Sequence, residues 1–310
     1  QAHRAQLQAL FSPKPVRLRC SFSSFAMLCV LVRLTWSHCN RLSIEFLYAR
    51  LRQVMYNHVM PKMSAATSQK LLALNTTFYE DNAKSFSLTR YAIQPGVRGL
   101  LPQMLKAKAI LDLGCGNGNL ALSLDKANFM GSYFGVDNSQ GLIDDAIATR
   151  EQSVNHKTNY QFQVVDLAKT PWQIASDQHL FDIIVSYATL HHIPGLSFQQ
   201  AFFYQVSNLL DSNGTFILSC WQPLNSPRLT KRVLSWQTLD IDPNELSDGD
   251  LLLDWRADEQ SETHNLRYVH QFTPDKLKSL GEATGLILKE TFYSDGKEGN
   301  LGLYQIWQKP

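Results

Sequence analysis

Residues 109–122 read AILDLGCGNGNLAL, an apolar run through Asp112 that enters a loop carrying Gly114, Gly116 and Gly118 and continues into helix-forming sequence. Glycines at alternate positions let backbone N–H groups come near a ligand that a Cβ would push away, and the start of the following helix offers the positive end of its dipole. Such a turn suits a nucleoside-type cofactor. A dinucleotide site is marked by G-x-G-x-x-G with a diphosphate on the helix N-terminus. Here the third glycine arrives one residue early and a carboxylate closes the strand. Asp112 would repel a diphosphate and attract an amino group.

A cofactor with an adenosine end predicts where further polar groups fall. After the run YFGV comes Asp137, with Asn138 beside it; an acid about 20 residues beyond the glycine loop is where ribose hydroxyls are met. A third β-rich run, 160–165, leads into Asp166 and Leu167. The carboxylate there can accept a hydrogen bond from an adenine amino group, and Leu167 can offer its backbone N–H. A lone strand-end Asp is commonly a helix cap, but three in succession are hard to explain as caps alone. The D-x-G-x-G-x-G motif with its later acids resembles the class I S-adenosylmethionine-dependent methyltransferases. The resemblance implies S-adenosyl-L-methionine as cofactor, held by Asp112, Gly114, Cys115, Gly116, Gly118, Asp137, Asn138, Asp166, Leu167 and, at the tip of the fourth strand, Ser186.

The elements that must position these groups follow from the pattern. From Ala109 onward, short β-rich runs alternate with helical stretches, which predicts an α/β fold, a seven-stranded mostly parallel Rossmann-like sheet with helices on both faces. Strands are expected at 109–113, 133–136, 160–166, 181–186, 215–220, 286–293 and 304–307. Cofactor and acceptor should lie at the strands' carboxyl ends, where strand order reverses. Two regions outside this core should govern acceptor choice. One is the helical stretch 71–105, broken by SFSLTRY at 85–91. The other is the polar link 221–269 between strands five and six, whose length fits a lid insertion.

The 310 residues, 44% hydrophobic and 18% charged, are those of an ordinary globular protein. Charge is uneven: residues 1–62 hold nine Lys or Arg against the single acid Glu45, leaving 20 basic and 26 acidic residues in 63–310. The first segment has an apolar run, 25–32, too short to cross a bilayer. It reads as sequence upstream of a start at Met63, as a targeting segment (an organelle transit peptide or a secretory signal), as a disordered arm or, last, as a folded module, so 63–310 is taken as the catalytic domain and a cytoplasmic location is expected, organellar if a transit peptide is present. Five cysteines without C-x-x-C spacing indicate neither a metal site nor a disulfide framework. Cys115 and Cys220 read as small packing residues.

At the fourth strand's end the chain reads SYATLHHIPG, 186–195. In class I methyltransferases this position faces the methyl acceptor. Absence of an N-P-P-Y or D-P-P-Y tetrad argues against methylation of a base's exocyclic nitrogen. His191 or His192 could serve as general base, and His192 is the candidate. The tracts FYEDNAKSFSLTRY (78–91), LDLGCGNGN, DLLLDW (250–255) and LRYVHQFTPDKL (266–277) together resemble the tRNA wobble-uridine carboxymethyl methyltransferases. That resemblance implies esterification of a carboxymethyl group in the tRNA anticodon loop, and a possible small activating subunit as partner. Arg90 and Arg267 would then grip a carboxylate or phosphate, and Tyr91, Tyr268 and Trp255 would stack on a splayed base. A metabolite O- or C-methyltransferase and a non-catalytic cofactor-binding adaptor are the alternatives; no membrane and no metal partner is expected.

Overall fold

The computed structural model describes residues 63–89, 92–151, 158–176, 180–255 and 265–310, all within one compact unit that spans Val59–Pro310. Segment 1–62 and the candidates Arg90 and Tyr91 lie outside the described residues.

Among the described residues, two helices precede the sheet. Helix α1, Ala65–Thr89, starts where the Ser64 Oγ accepts the Thr67 N–H at 3.1 Å, which satisfies one of the amides a helix start leaves over. Helix α2, Pro95–Met104, opens with proline at its first position, where the missing N–H costs nothing. The core then alternates β1 (Ala109–Leu113), α3 (Asn119–Lys126), β2 (Ser132–Asp137), α4 (Gln140–Glu151), β3 (Asn159–Val164), β4 (Phe181–Tyr187), α5 (Leu196–Leu209) and β5 (Leu210–Trp221). Strands β6 (Val233–Leu234), β7 (Asp250–Trp255) and β8 (Asn265–His270) come next, followed by helix α6 (Pro274–Glu282), β9 (Ile287–Ser294) and β10 (Gly302–Gln308).

Seven strands form one sheet in the order β3-β2-β1-β4-β5-β10-β9, and only β10 runs against its neighbours. This is the α/β Rossmann-like sheet expected from the sequence. Every residue of β1 is buried, because helices cover both faces of a parallel sheet. Leu111, Leu113, Phe134 and Val136 feed one apolar cluster, while Ile110, Tyr133, Tyr160 and Leu124 feed the other. Order reverses between β1 and β4, so their carboxyl ends open a crevice.

The insertion between β5 and β9 is not the polar link the sequence suggested. It folds into a second, antiparallel sheet, β6-β7-β8. The strand Asp250–Trp255 is buried on both faces: Leu251 and Leu253 join Val269 on one side, and Leu252 sits beside Tyr268, which packs with Leu71 and Ile241 on the other. Burial on two faces removes the alternation that would have marked the strand.

Candidate active site

A cavity of about 270 Å³ lies over the carboxyl ends of β1, β2 and β4. Its floor is the glycine loop and its roof is α1. Asp112, Gly114, Cys115, Gly116, Asp137, Asn138, Asp166 and Leu167 all line it, so eight of the expected cofactor residues converge on one space.

The loop holds its shape through its own amides. Gly114 and Cys115 donate to the Val136 carbonyl at 2.7 and 3.0 Å, and Gly116 donates to Asp137 Oδ2 at 3.0 Å. The expectation that these amides serve a ligand is therefore corrected: they join the loop to β2, and what the loop offers is close approach. Gly114 has φ +83°, and a Cβ built on it would lie 2.0 Å from Thr189 Oγ1. Gly116, φ +56°, faces space empty to 4 Å; it is a cradle that a side chain would fill. Gly118 instead caps α3 at φ 77° and packs against Ala146 and Phe162, away from the cavity. Ser186 is fully buried, its Oγ has no hydrogen-bond partner among the described residues, and it is not among the cavity's lining residues. Those two serve the turn and the sheet.

The acids differ in surroundings. Asp112 is 3% exposed; burial pushes its carboxyl up to about 7, opposed by the Tyr133 hydroxyl, which donates to Oδ2 at 2.5 Å. Asp137 takes the Gly116 and Ser139 amides on separate oxygens at 3.0 Å each, and burial raises it despite them. Each oxygen retains a lone pair for a further donor. Asp166 accepts the Ala168 amide at 3.0 Å and meets Lys169 at 3.1 Å. An acid for an ammonium, an acid for a diol and an acid for an exocyclic amine, with an open glycine between the first two, fit S-adenosylmethionine.

The opposite wall is built from distant sequence. Chain after β4 turns sharply at Ala188, φ 53°, whose amide is held by Ser219 O at 3.0 Å. Left-handed backbone at a non-glycine is costly and needs such restraint. A 3₁₀ turn, Leu190–His192, follows. The two histidines divide their work. His191 is buried and its Nδ1 accepts the Trp221 amide at 3.2 Å. His192 lines the cavity: Nδ1 lies 3.1 Å from the Tyr268 carbonyl and Nε2 lies 2.7 Å from the Tyr79 hydroxyl. A carbonyl only accepts, so Nδ1 carries a hydrogen, and whenever the ring is neutral Nε2 presents its lone pair to Tyr79.

Asn75 of α1 locks this arrangement. Its Nδ2 donates to the carbonyls of His192 and Tyr268, both at 3.1 Å, and its Oδ1 accepts the Tyr268 amide at 2.8 Å. Asn75 and Tyr79 were not singled out from the sequence. Both stand on α1, in the region assigned to acceptor choice, and Tyr79 belongs to the FYEDNAKS tract from which only the far end was chosen.

Two acceptor candidates need correction. Tyr268 is fully buried and its hydroxyl donates to Asp250 Oδ1 at 2.6 Å, so its ring is shut away from any base. Arg267 is 7% exposed and its guanidinium lies over Phe78 and Trp221 at 5.2 and 4.6 Å; it braces the insertion from within. Trp255 packs edge-on against Phe78. Among the described residues lining the cavity there is no Lys or Arg. Nor do the described residues contain a cluster fit to hold a metal, or a helix long and apolar enough to cross a membrane.

Comparison with known proteins adds the following. A family described as methyltransferase domain matches residues 105–273. A Xenopus tropicalis protein named tRNA (carboxymethyluridine(34)-5-O)-methyltransferase alkbh8 is 27% identical over 143 residues, covering 46% of this chain and 20% of that protein. A Coxiella burnetii ubiquinone biosynthesis O-methyltransferase is 38% identical over 90 residues, 29% of this chain and 35% of the relative. The chain thus spans about a third or less of those two relatives. Among solved structures, a S-adenosylmethionine-dependent methyltransferase from Methanosarcina mazei superposes with a TM-score of 0.53 at 21% identity, over 70% of this chain and 98% of its own.

Proposed function

This chain belongs to the methyltransferase-domain family and is an S-adenosylmethionine-dependent methyltransferase, and on that premise we propose that it O-methylates a weakly acidic hydroxyl presented to Tyr79, which His192 backs. Bound in the cavity, the cofactor would supply a methyl group on a sulfonium, open to in-line displacement. The protein's residues do the rest. Asp112, Asp137 and Asp166 seat the donor's polar ends, and Gly116 gives it room. The Tyr79–His192 pair receives the acceptor's proton, with Tyr79 passing its own hydrogen to Nε2 as it takes the incoming one.

The observation that carries this reading is the placement of His192, whose Nδ1 donates to the Tyr268 carbonyl while Nε2 meets the Tyr79 hydroxyl at the cavity wall. A carboxylate acceptor, with a pKa of about 4, is already an anion at neutral pH and needs no base. It would also meet Glu80, Asp112, Asp137 and Asp166 with no described cation among the lining residues. Similarity to the ubiquinone-pathway O-methyltransferases points the same way.

A second reading has its own support. The order of the tracts from Phe78 to Leu277 and the similarity to the Xenopus protein favour the carboxymethyl group of a tRNA wobble uridine as acceptor, with Arg90 as its anchor and a small activating subunit as partner. The test is release of S-adenosylhomocysteine from the full chain offered phenolic or enolic hydroxyl compounds, or tRNA carrying 5-carboxymethyluridine. Turnover with the hydroxyl compounds alone, reduced about 100-fold or more by His192→Gln with cofactor affinity unchanged, supports the first reading. Turnover with tRNA alone, insensitive to His192→Gln, replaces it with the second.

A further inference from the structure

We propose that Tyr133 is a positioning residue for cofactor binding, its buried hydroxyl holding the Asp112 carboxylate in the anionic form that receives the cofactor's ammonium group. The inference rests on the cavity being the S-adenosylmethionine site.

The sheet register makes the contact possible. Asp112 pairs with Gly135, and Ile110 pairs with Tyr133, so Tyr133 points to the same face as Asp112 from one pair further down. A side chain at Gly135 would stand between them; its Cβ would lie 2.9 Å from Cys115 Sγ and 2.8 Å from the Phe162 ring. With glycine there, the Tyr133 ring leans along the strand and its hydroxyl reaches Asp112 Oδ2 at 2.5 Å. The ring cannot swing away, because Tyr133 is wholly buried and packs against Tyr160 and Phe162 at 5.6 and 5.9 Å.

What Tyr133 works against is visible on every side. Asp112 is faced by Asp137 at the tip of β2, by the Cys115 thiol in the glycine loop and by the Tyr187 hydroxyl at the tip of β4. Glu80 of α1 and Asp166 after β3 add further negative charge to the cavity wall. Among the described lining residues no Lys or Arg balances them. Burial and the Asp137 charge both favour the protonated acid, and the Tyr133 hydroxyl is the group that favours the anion. A protonated Asp112 would still fit the cavity but would lose its attraction for a cation.

The test is calorimetric affinity for S-adenosylmethionine and for 5′-methylthioadenosine, which lacks the amino acid end, from pH 6 to 9. Wild type should bind S-adenosylmethionine more weakly as pH falls below about 7, approaching tenfold per unit for one proton taken up. Tyr133→Phe should widen the gap to about tenfold at pH 6, since a hydrogen bond to the charged form is lost. The ratio between the two proteins should shrink toward one at pH 9, where both carboxyls are ionised; any titration of the ligand's own amine cancels in it. Methylthioadenosine should bind both proteins alike at every pH, which also shows that the variant is folded. In an Asp112→Asn background, Tyr133→Phe should change nothing further. A loss that is constant across pH, or shared by methylthioadenosine, overturns the proposal and leaves Tyr133 a packing residue. Failure of wild type to bind either ligand would instead overturn the assignment of the cavity.

Discussion

The floor and the roof of the cavity are built in different ways. The floor takes its residues from strand tips and the turns that follow them: Asp112 with Gly114 and Gly116, then Asp137 with Asn138, then Asp166 with Leu167. Each group is placed by its own strand, and the contacts between them are short-range bonds such as Gly116 to Asp137. The roof and acceptor wall are instead tied across the chain. Asn75 reaches 117 residues to His192 and 193 to Tyr268, and the Ser64 amide reaches 181 residues to Glu245 at 3.0 Å. One half of the site is a property of a local motif, and the other exists only once the insertion has docked on α1.

The sharpest way to break the floor is at Gly114. Gly114→Ala would set a Cβ 2.0 Å from Thr189 Oγ1 and 2.8 Å from Thr189 Cβ, on backbone at φ +83°. Cofactor affinity measured by calorimetry should fall by about 100-fold or more, since both a collision and a left-handed alanine must be accommodated. Adding Thr189→Gly should recover part of the loss but not all, because removing the side chain leaves the left-handed backbone. Full recovery would show that crowding alone selects glycine.

This contrast also decides what could be read from sequence. The seven strands of the main sheet and the three acids at their tips were legible, since a short apolar run ending in Asp before a turn is a local signal. The role of the glycine-loop amides was not, because their acceptors, Val136 O and Asp137 Oδ2, lie on another strand. Arg267 and Tyr268 enter as a binding pair through the resemblance carried by LRYVHQFTPDKL, since a guanidinium can grip a carboxylate and an aromatic ring can stack on a base. Their burial follows from pairing with Leu253 and Leu252 in a sheet whose register no local pattern announces. Asn75 was invisible for a related reason: an Asn on a helix reads as a surface residue until two carbonyls and an amide from elsewhere close around it.

Asn75→Ala tests the roof. It strips the partner from the Tyr268 amide and one donor each from the Tyr268 and His192 carbonyls. Buried groups left unpaired should cost about 2 to 4 kcal/mol in denaturant unfolding. Cofactor affinity should change little, while turnover falls with the loss of His192 alignment. Equal losses in both would show that floor and roof are one cooperative unit.

The smallest effect expected is a pH dependence of the insertion's anchorage. His270 is buried, with Nδ1 2.5 Å from Asp250 and Nε2 2.7 Å from Lys276 on α6. Burial pushes the His270 imidazole below its usual 6.5, opposed by Asp250 and aided by the Lys276 charge. The folded protein then binds fewer protons at this residue than the unfolded chain does below pH 6.5. Stability is highest above that value and falls as the pH drops through it, by up to about 1.4 kcal/mol per unit. Asp250, held low by His270 and Tyr268 against the opposing pull of its burial, stays ionised in this range, and its own contribution is lost only below about 3.8. Comparing wild type with His270→Gln between pH 7 and 5 isolates the effect, as the other histidines are common to both. The variant should lose part of the slope in urea unfolding and none of its cofactor affinity at neutral pH, because this cluster belongs to the docked insertion rather than to the strand tips. An unchanged slope would mean that His270 takes up its proton in the folded state as readily as in the unfolded one, and that the Asp250–His270–Lys276 chain gives the roof no sensitivity to acid that the floor lacks.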